Sequence, residues 1–190
     1  TAPAEWSPSR LENLGACPQH FFFRHALRAE ELPEPLAGHE LEASDMGQRV
    51  HRVLHDVYRG LLEAGDLQGA PADPAGAVGR AEDLGRAAWE RRTRTLAARL
   101  RTLYPLLWET TERLWLRALE TFLREDMAAL TRDGGRVLGL EQDAAAPIVS
   151  GSGGRGIEVR GRLDRTVLYP EGVVVSDYKT SGDLEQHVSP

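Results

Sequence analysis

The chain has 190 residues, of which 41% are hydrophobic and 27% are charged, and its formal net charge is −6 at pH 7. This size and composition are typical of one globular domain with its own core, and the negative charge argues against a protein that coats nucleic acid. The single cysteine, Cys17, excludes an internal disulfide and a structural zinc site closed within this chain. No stretch approaches the roughly 20 apolar residues of a membrane span, so we expect no membrane partner.

The first two-thirds of the chain predict helices. "SPSRLENLGACP" offers Ser7 as an N-cap and Pro8 at the first helical position. In "SDMGQRVHRVLHDVYRGLLEAG" the apolar residues recur at helical spacing, and Gly65 is expected to end the helix. This second segment carries His51 and His55 four positions apart, so both lie on one helical face.

Residues 66–132 predict a loop followed by a helical insertion. "AGDLQGAPADPAGAVG" has the composition of a surface loop. The helical region after it is expected to break near Pro105, because proline disfavours helix at the residue before it. Between residues 86 and 101 there are six arginines and one acidic residue. This basic stretch is either a surface that contacts phosphates or a solvated helix face.

The last third of the chain predicts three strands, "RVLGLEQD", "IEVRGRLDRTVLY" and "GVVVSDYKT". The last two are joined by "PEG", a connection short enough for a β-hairpin. The three valines at 173–175 predict a buried strand whose end lies near the core. Helices that flank a small sheet indicate an α/β or α+β domain, with the helical insertion placed before the sheet.

Lys179 is the only lysine in the chain, and it follows Asp177 by two positions. Residues two apart on a strand project to the same face, so these two side chains are expected to lie together. Asp164 lies on the partner strand of the hairpin, and two carboxylates facing each other there can hold a cation such as Mg²⁺. An ammonium beside the cation can orient a bound water and can transfer a proton, whereas a guanidinium keeps the charge with a different geometry and stays protonated. The alternative is a solvated surface ion pair.

The two histidines of the second helix have more than one interpretation. The pair His51 and His55 would suit zinc by its spacing. No glutamate follows His51, so the H-E-x-x-H pattern of zinc proteases is absent. His51 is therefore either a partly buried core residue or a metal ligand that reaches toward the sheet.

Four segments, in order, resemble the PD-(D/E)XK nuclease superfamily, close to its RecB and AddB exonuclease branch. They are "SPSRLENLGACPQHFFFRHAL", "GQRVH", "GRLD" and "DYKTS". The first is similar to the opening helix of that branch, and the others to its G-x-x-x-H helix, its G-x-x-D strand and its D-x-K strand. The resemblance implies a restriction-endonuclease-like core, with a small mixed sheet flanked by helices, in a single nuclease domain over residues 1–190.

The resemblance also implies the site. Asp164, Asp177, His51 and the backbone carbonyl of Tyr178 would bind Mg²⁺ or Mn²⁺, and Lys179 would position or activate the attacking water. The implied catalytic set is Asp164, Asp177, Lys179 and His51. Further candidates are Glu141 as an additional acidic group, and, as contacts to nucleic acid, Arg91, Arg92, Arg94 and Arg162.

The implied reaction is hydrolysis of DNA phosphodiester bonds, as an exonuclease acting on single-stranded DNA. The implied partner is a helicase subunit or a fused helicase domain, in double-strand-break repair and recombination in the bacterial cytoplasm. One alternative is a catalytically inactive module of the same fold that binds DNA ends or docks a protein. The other alternative is a helical interaction protein in which the D-x-K motif has no functional role.

Two features of the branch have no counterpart in this sequence. Its D-x-K strand is normally followed by a helix bearing Q-x-x-x-Y, and its iron–sulphur members bind a cluster through four cysteines. Cys17 stands where the first of those cysteines is expected, and the other three are missing. Either the chain is truncated at its C-terminus, with a cluster possible only in a longer parent chain, or Cys17 is a buried thiol in a relative without a cluster. We favour truncation.

Overall fold

The structure is a computed structural model that describes residues 5–29, 43–148 and 157–179. The first part contains β1 (Glu5–Trp6), α1 (Pro8–Ala16), α2 (Pro18–Phe21) and a π-helical turn (Phe22–Ala26). Three long helices follow, α3 (Ala43–Ala64), α4 (Pro74–Leu103) and α5 (Pro105–Arg132). The chain then forms β2 (Arg136–Ile148), β3 (Ile157–Tyr169) and β4 (Gly172–Ser176). The α+β class, with long helices placed before the sheet, is confirmed.

The helix boundaries follow the signals in the sequence. The side chain of Ser7 accepts a hydrogen bond from the backbone N–H of Arg10 and so caps α1. Gly65, with a φ of 84°, follows the last residue of α3, in a conformation that favours glycine. α4 and α5 are separated by Tyr104 alone, as Pro105 predicts. Every helix in the described ranges is too short or too polar to cross a bilayer.

The prediction of a surface loop before α4 is wrong in two respects. α4 already begins at Pro74, because Asp73 accepts a hydrogen bond from the N–H of Gly76 at 2.9 Å and caps the helix. The residues that follow α3 are also partly buried, since Leu67 belongs to the core. Asp66 accepts two hydrogen bonds from Arg80, at 2.6 and 2.8 Å, which fix this connection to α4.

β3 is the central strand of the sheet, whose order is β1-β3-β2, and β4 also pairs with β3. β1 runs parallel to the first half of β3, where Trp6 is opposite Val159. β4 runs antiparallel to the second half, from Tyr169 opposite Gly172 to Arg165 opposite Ser176. The predicted hairpin is thus confirmed. Its register, continued by one position, sets residue 164 opposite residue 177.

The chain divides into two compact units. The first comprises Thr1–Gly38 and Gln142–Leu163, and within it the rings of Trp6 and Phe21 stack at 5.7 Å. The second comprises His39–Glu141 and Asp164–Pro190. It contains the buried hydrophobic core and the candidate catalytic residues.

Close packing of α3, α4 and α5 builds the core of the second unit. α3 buries a stripe that includes Val53, Val57 and Leu61, as its helical periodicity predicts. On α4, glycine and alanine occupy most of the buried positions, which lets the helices approach closely. A Cβ added at Gly85 would lie 2.9 Å from the Cδ1 atom of Leu123 on α5, so a larger residue there would require that side chain to shift.

The prediction that the valines at 173–175 form a buried strand is wrong. Val173, Val174 and Val175 are 58%, 48% and 52% exposed. β4 pairs with β3 along one edge and has no second strand beside it in the described part of the sheet. The run of apolar residues therefore marks an edge strand with both faces open, because a strand is buried only where other elements cover its faces.

Candidate active site

The first functional contact joins α3 to β3. The Nδ1 atom of His51 lies 3.2 Å from Oδ2 of Asp164, and the two side chains are 32% and 18% exposed. The backbone N–H of Tyr178 donates a hydrogen bond to the same oxygen at 2.9 Å. One carboxylate oxygen of Asp164 thus contacts both the G-x-x-x-H helix and the D-x-K segment.

Asp177 and Lys179 form a second contact. The Nζ atom of Lys179 lies 2.6 Å from Oδ2 of Asp177, with both side chains about half exposed. Both were predicted to lie on a strand, but β4 ends at Ser176. The physical reason is that the N–H of Tyr178 donates to the Asp164 side chain and not to a strand carbonyl. The two side chains still lie together, through an ion pair.

Tyr178 lines two cavities. The smaller has a volume of about 10 Å³, close to the space of one water molecule. Its lining consists of His51, His55, Tyr58, Leu140, Glu141, Asp164 and Tyr178. The larger is an apolar cavity of about 350 Å³ between α3, α4 and α5, and Asp177, Tyr178 and Lys179 line one side of it. Asp164 and Asp177 therefore border different cavities.

The donor types present suit a hard divalent cation, since they are carboxylates, a backbone carbonyl and an imidazole. Their arrangement fits only in part. In the described portion of the chain, no three histidine, cysteine, aspartate or glutamate side chains lie close enough together to hold a metal ion. The structure brings His51 to Asp164 and Lys179 to Asp177, as two pairs.

Glu141, the additional acidic candidate, lines the small cavity with His51 and Asp164. It lies on β2 and has a φ of 46°, in the left-handed region that non-glycine residues seldom adopt. Such a conformation costs about 1–3 kcal/mol and is found most often at functional sites. The backbone of β2 is therefore strained where it borders the cavity.

The ring of Tyr178 is held by aromatic side chains on three sides. It lies parallel to Tyr58 of α3 with ring centroids 6.2 Å apart. Phe122 of α5 meets it edge-on at 5.9 Å, and His51 does so at 6.0 Å. The middle residue of the D-Y-K segment is thus anchored in the second unit.

A buried ion pair lies beneath this ring. Arg165, 4% exposed, donates to both carboxylate oxygens of Asp126 at 2.6 and 2.8 Å. The hydroxyl of Tyr58 donates to Oδ2 of Asp126 at 2.5 Å. The guanidinium carbon of Arg165 lies 4.5 Å from the ring centroid of Tyr58 and 5.7 Å from that of Tyr178.

The protonation states in this cluster follow from burial and charge. Burial opposes the charge of Arg165, but the hydrogen bonds to Asp126 outweigh it and raise the pKa of the guanidinium above its usual value. Burial, with the negative charge of Asp126, raises the pKa of Tyr58 well above its usual value. The pKa of Tyr178 is also raised, chiefly by burial. Both tyrosines are therefore neutral at physiological pH.

Sequence reasoning missed Arg165 and Asp126. The available signal was an arginine within the strand segment "RTVLY", directly after Asp164. A charged residue at a position that proves buried requires a partner, but no pattern in the sequence identifies Asp126 as that partner.

The basic residues proposed to contact nucleic acid differ in their surroundings. Asp56 of α3, whose side chain is 3% exposed, accepts two hydrogen bonds from Arg92 at 2.8 Å and one from Arg91 at 2.7 Å. The hydrogen bonds from Arg92 are the main reason that the pKa of Asp56 lies well below its usual value. Arg91 and Arg92 therefore join α4 to α3, whereas Arg94 is exposed on α4.

The two remaining candidates lie in the first unit. Arg162 is exposed on β3. Cys17 is an exposed free thiol that caps α2, where its Sγ accepts a hydrogen bond from the N–H of His20 at 3.4 Å.

The mixed fold and the hairpin that carries the acidic residues agree with the nuclease motifs found in the sequence. The sequence matches the family model of the PD-(D/E)XK nuclease superfamily over residues 5–189. The chain belongs to the PD-(D/E)XK nuclease superfamily, and its α+β fold is consistent with the restriction-endonuclease-like core. Members of this superfamily are generally nucleases and typically use divalent metal ions. A comparison with curated proteins finds no match.

Proposed function

We propose that the chain is a divalent-metal-dependent deoxyribonuclease that hydrolyses single-stranded DNA from an end. One observation carries the proposal. The hairpin pairs Arg165 with Ser176, and the next residue on each side is an aspartate. His51 contacts the carboxylate of Asp164, and Lys179 contacts that of Asp177. Two acids, an imidazole and an amine thus belong to one small region of the second unit, in a chain of a nuclease superfamily.

The metal, Mg²⁺ or Mn²⁺, would be held by Asp164, Asp177, His51 and the backbone carbonyl of Tyr178. When bound, it would supply Lewis-acid stabilisation of the negative charge at the phosphoryl group and lower the pKa of a bound water. The Nζ atom of Lys179 orients the attacking water and offsets the charge that develops on a phosphoryl oxygen. His51 holds the Asp164 carboxylate in place through their 3.2 Å contact.

This assignment requires the Asp177 carboxylate to leave Lys179. Both side chains are about half exposed, and an exposed ion pair contributes only about 0–1 kcal/mol. A divalent cation beside Asp164 attracts the second carboxylate more strongly than a solvated ammonium does. Metal binding would therefore break the ion pair between Asp177 and Lys179 with only a small loss of free energy.

The finer assignment is to a RecB/AddB-like module of a helicase–nuclease, acting in double-strand-break repair in the bacterial cytoplasm. It is supported by the order of the four motifs, which includes the Cys-Pro segment and the G-x-x-x-H helix. The exposed Arg94 of α4 and Arg162 of β3 offer positive charge to a DNA backbone. In this assignment a helicase partner would thread a single DNA strand into the active site.

The test is cleavage of single-stranded DNA, labelled at either end, with Mg²⁺, with Mn²⁺ and with a chelator. The parent is compared with Asp164→Ala, Asp177→Ala and Lys179→Ala, and with Glu171→Ala, an exposed carboxylate in the turn of the same hairpin. We expect metal-dependent cleavage that the three site variants abolish and Glu171→Ala retains. Cleavage that survives Asp177→Ala and Lys179→Ala would come from a contaminant and would refute the site. Cleavage that starts within the strand would refute the exonuclease assignment.

A second candidate is a catalytically inactive module of the same fold that binds DNA ends or docks a protein. The arrangement of the acids favours it, since no three metal-binding side chains converge within the described ranges. DNA binding without cleavage, and without any thermal stabilisation by Mg²⁺ or Mn²⁺, would support this candidate over the nuclease.

A further inference from the structure

We propose that the face of α5 formed by Phe122 and Asp126 positions the D-Y-K segment for catalysis. The helical insertion would then be a working part of the active site, although none of its residues is a candidate metal ligand. This inference rests on the proposed nuclease function and extends it to positioning residues outside the superfamily motifs.

Phe122 and Asp126 are four positions apart on α5, so they lie on the same side of the helix. Phe122 packs edge-on against Tyr178 at 5.9 Å. Asp126 binds Tyr58 and Arg165, which themselves contact the Tyr178 ring. One face of α5 therefore supports Tyr178 both directly and through two intermediate side chains.

Tyr178 lies between Asp177 and Lys179 in the chain, and its N–H donates a hydrogen bond to Asp164. Fixing this one residue therefore fixes the backbone of both its neighbours and the direction of its own carbonyl, the proposed metal ligand. Arg165 directly follows Asp164 on β3, so its buried ion pair also holds the backbone that presents Asp164.

The buried face of this cluster holds a charged pair, Arg165 and Asp126. An apolar side chain at position 165 would pack without the cost of burying a guanidinium, so stability alone does not call for the ion pair. A bidentate arginine–carboxylate pair instead imposes one relative orientation on the two elements that carry it. Here those elements are α5 and β3, and the pair sets the position of the acidic hairpin relative to the helices.

The test compares Phe122→Ala and Asp126→Asn with Leu123→Ala. Leu123 is fully buried on the same helix and packs toward Gly85 of α4, so its truncation weakens the core on another side of α5. Each variant is measured for Tm, for kcat and KM on single-stranded DNA, and for the Mn²⁺ concentration that gives half-maximal thermal stabilisation.

We expect Phe122→Ala and Asp126→Asn to lower kcat by about 10-fold or more and to raise the half-saturating Mn²⁺ concentration about 10-fold, with little change in KM. Leu123→Ala should lower Tm at least as much and leave kcat and the Mn²⁺ requirement near the parent values. If the first two variants behave like Leu123→Ala, the face has only a structural role and the proposal is wrong.

Asp126→Asn leaves a buried arginine without its charged partner and can fail to fold. Tyr58→Phe removes only the hydroxyl that binds Asp126, so it provides the second test, with a smaller change expected in the same direction. Lys179→Ala separates the two proposals. If Lys179→Ala retains full activity, the proposed nuclease site fails; if it is inactive while Phe122→Ala, Asp126→Asn and Tyr58→Phe retain the parental kcat, only the positioning role fails.

Discussion

The imidazole of His51 and the carboxylate of Asp164 meet at 3.2 Å, between Nδ1 and Oδ2. The two residues belong to α3 and β3, and the whole α4–α5 insertion lies between them in sequence. Their contact joins the G-x-x-x-H helix directly to the acidic hairpin. It makes His51 part of the candidate site, not merely of the helix surface.

His51→Ala should therefore weaken metal binding. Loss of this proposed ligand, and of its contact with Asp164, is expected to raise the metal concentration for half-maximal cleavage at least about 10-fold. The measurement is a Mn²⁺ titration of the nuclease rate. Gln48→Ala, an exposed position one turn earlier on α3, is the matched control. An unchanged titration for His51→Ala would make this histidine a simple helix residue.

The Asp177–Lys179 ion pair predicts a separation of binding from catalysis. Lys179→Ala removes the ammonium that occupies the Asp177 carboxylate at 2.6 Å, so metal affinity should be kept or improved while cleavage is lost. Asp177→Ala should lose both. Isothermal titration calorimetry with Mn²⁺, together with single-turnover cleavage, reads the two properties separately. Equal loss of metal binding in both variants would argue against this division of roles.

Asp56 should stabilise the α3–α4 contact in a pH-dependent manner. Its pKa is lowered on folding, chiefly by hydrogen bonds from Arg92. The stabilisation is therefore complete above the unfolded pKa of about 4 and is lost as the pH falls toward the folded value. Asp56→Asn should lower the free energy of unfolding by about 2 kcal/mol at pH 7, because the arginines are partly solvent-exposed.

Chemical denaturation of the parent and Asp56→Asn between pH 7 and pH 3 measures this difference. The gap between the two proteins should narrow steadily below about pH 4. A gap that stays constant across this range would mean that the charge of Asp56 contributes nothing to stability.

The basic residues of α4 should divide into two groups. Arg94 is exposed, so Arg94→Gln is expected to weaken DNA binding and to reduce the slope of log K against log salt by about 1. Arg92 is committed to Asp56, so Arg92→Gln should chiefly lower Tm. Fluorescence anisotropy with single-stranded DNA at several salt concentrations, beside thermal melts, distinguishes them. If the slope of log K against log salt is the same for the parent and Arg94→Gln, the basic stretch of α4 is a solvated helix face that does not contact DNA.

Local signals were enough to predict much of the fold. The 3.6-residue periodicity around His51, the cap at Ser7 and the break at Pro105 each depend on residues close in sequence, and each is confirmed. The short "PEG" connection set the hairpin, and with it the position of Asp164 opposite residue 177. These features follow from backbone geometry, which a single segment determines.

The errors and omissions concern contacts between distant segments. Burial of the valines at 173–175 depends on what covers β4, which their own composition does not determine. The partners of Arg165 and of Arg92 lie on other helices, and any of several acidic residues could have filled those roles. The side-chain arrangement at Asp177 likewise depends on an ion pair that alternation along a strand does not reveal.

The most direct test of a shared cation site is Mn²⁺ binding followed by electron paramagnetic resonance in the parent, Asp164→Ala and Asp177→Ala. We predict one tight site in the parent and its loss in each variant, since both carboxylates would bind the same ion. Retention of that site in either variant would contradict the account, because the two acids would then not act on one metal.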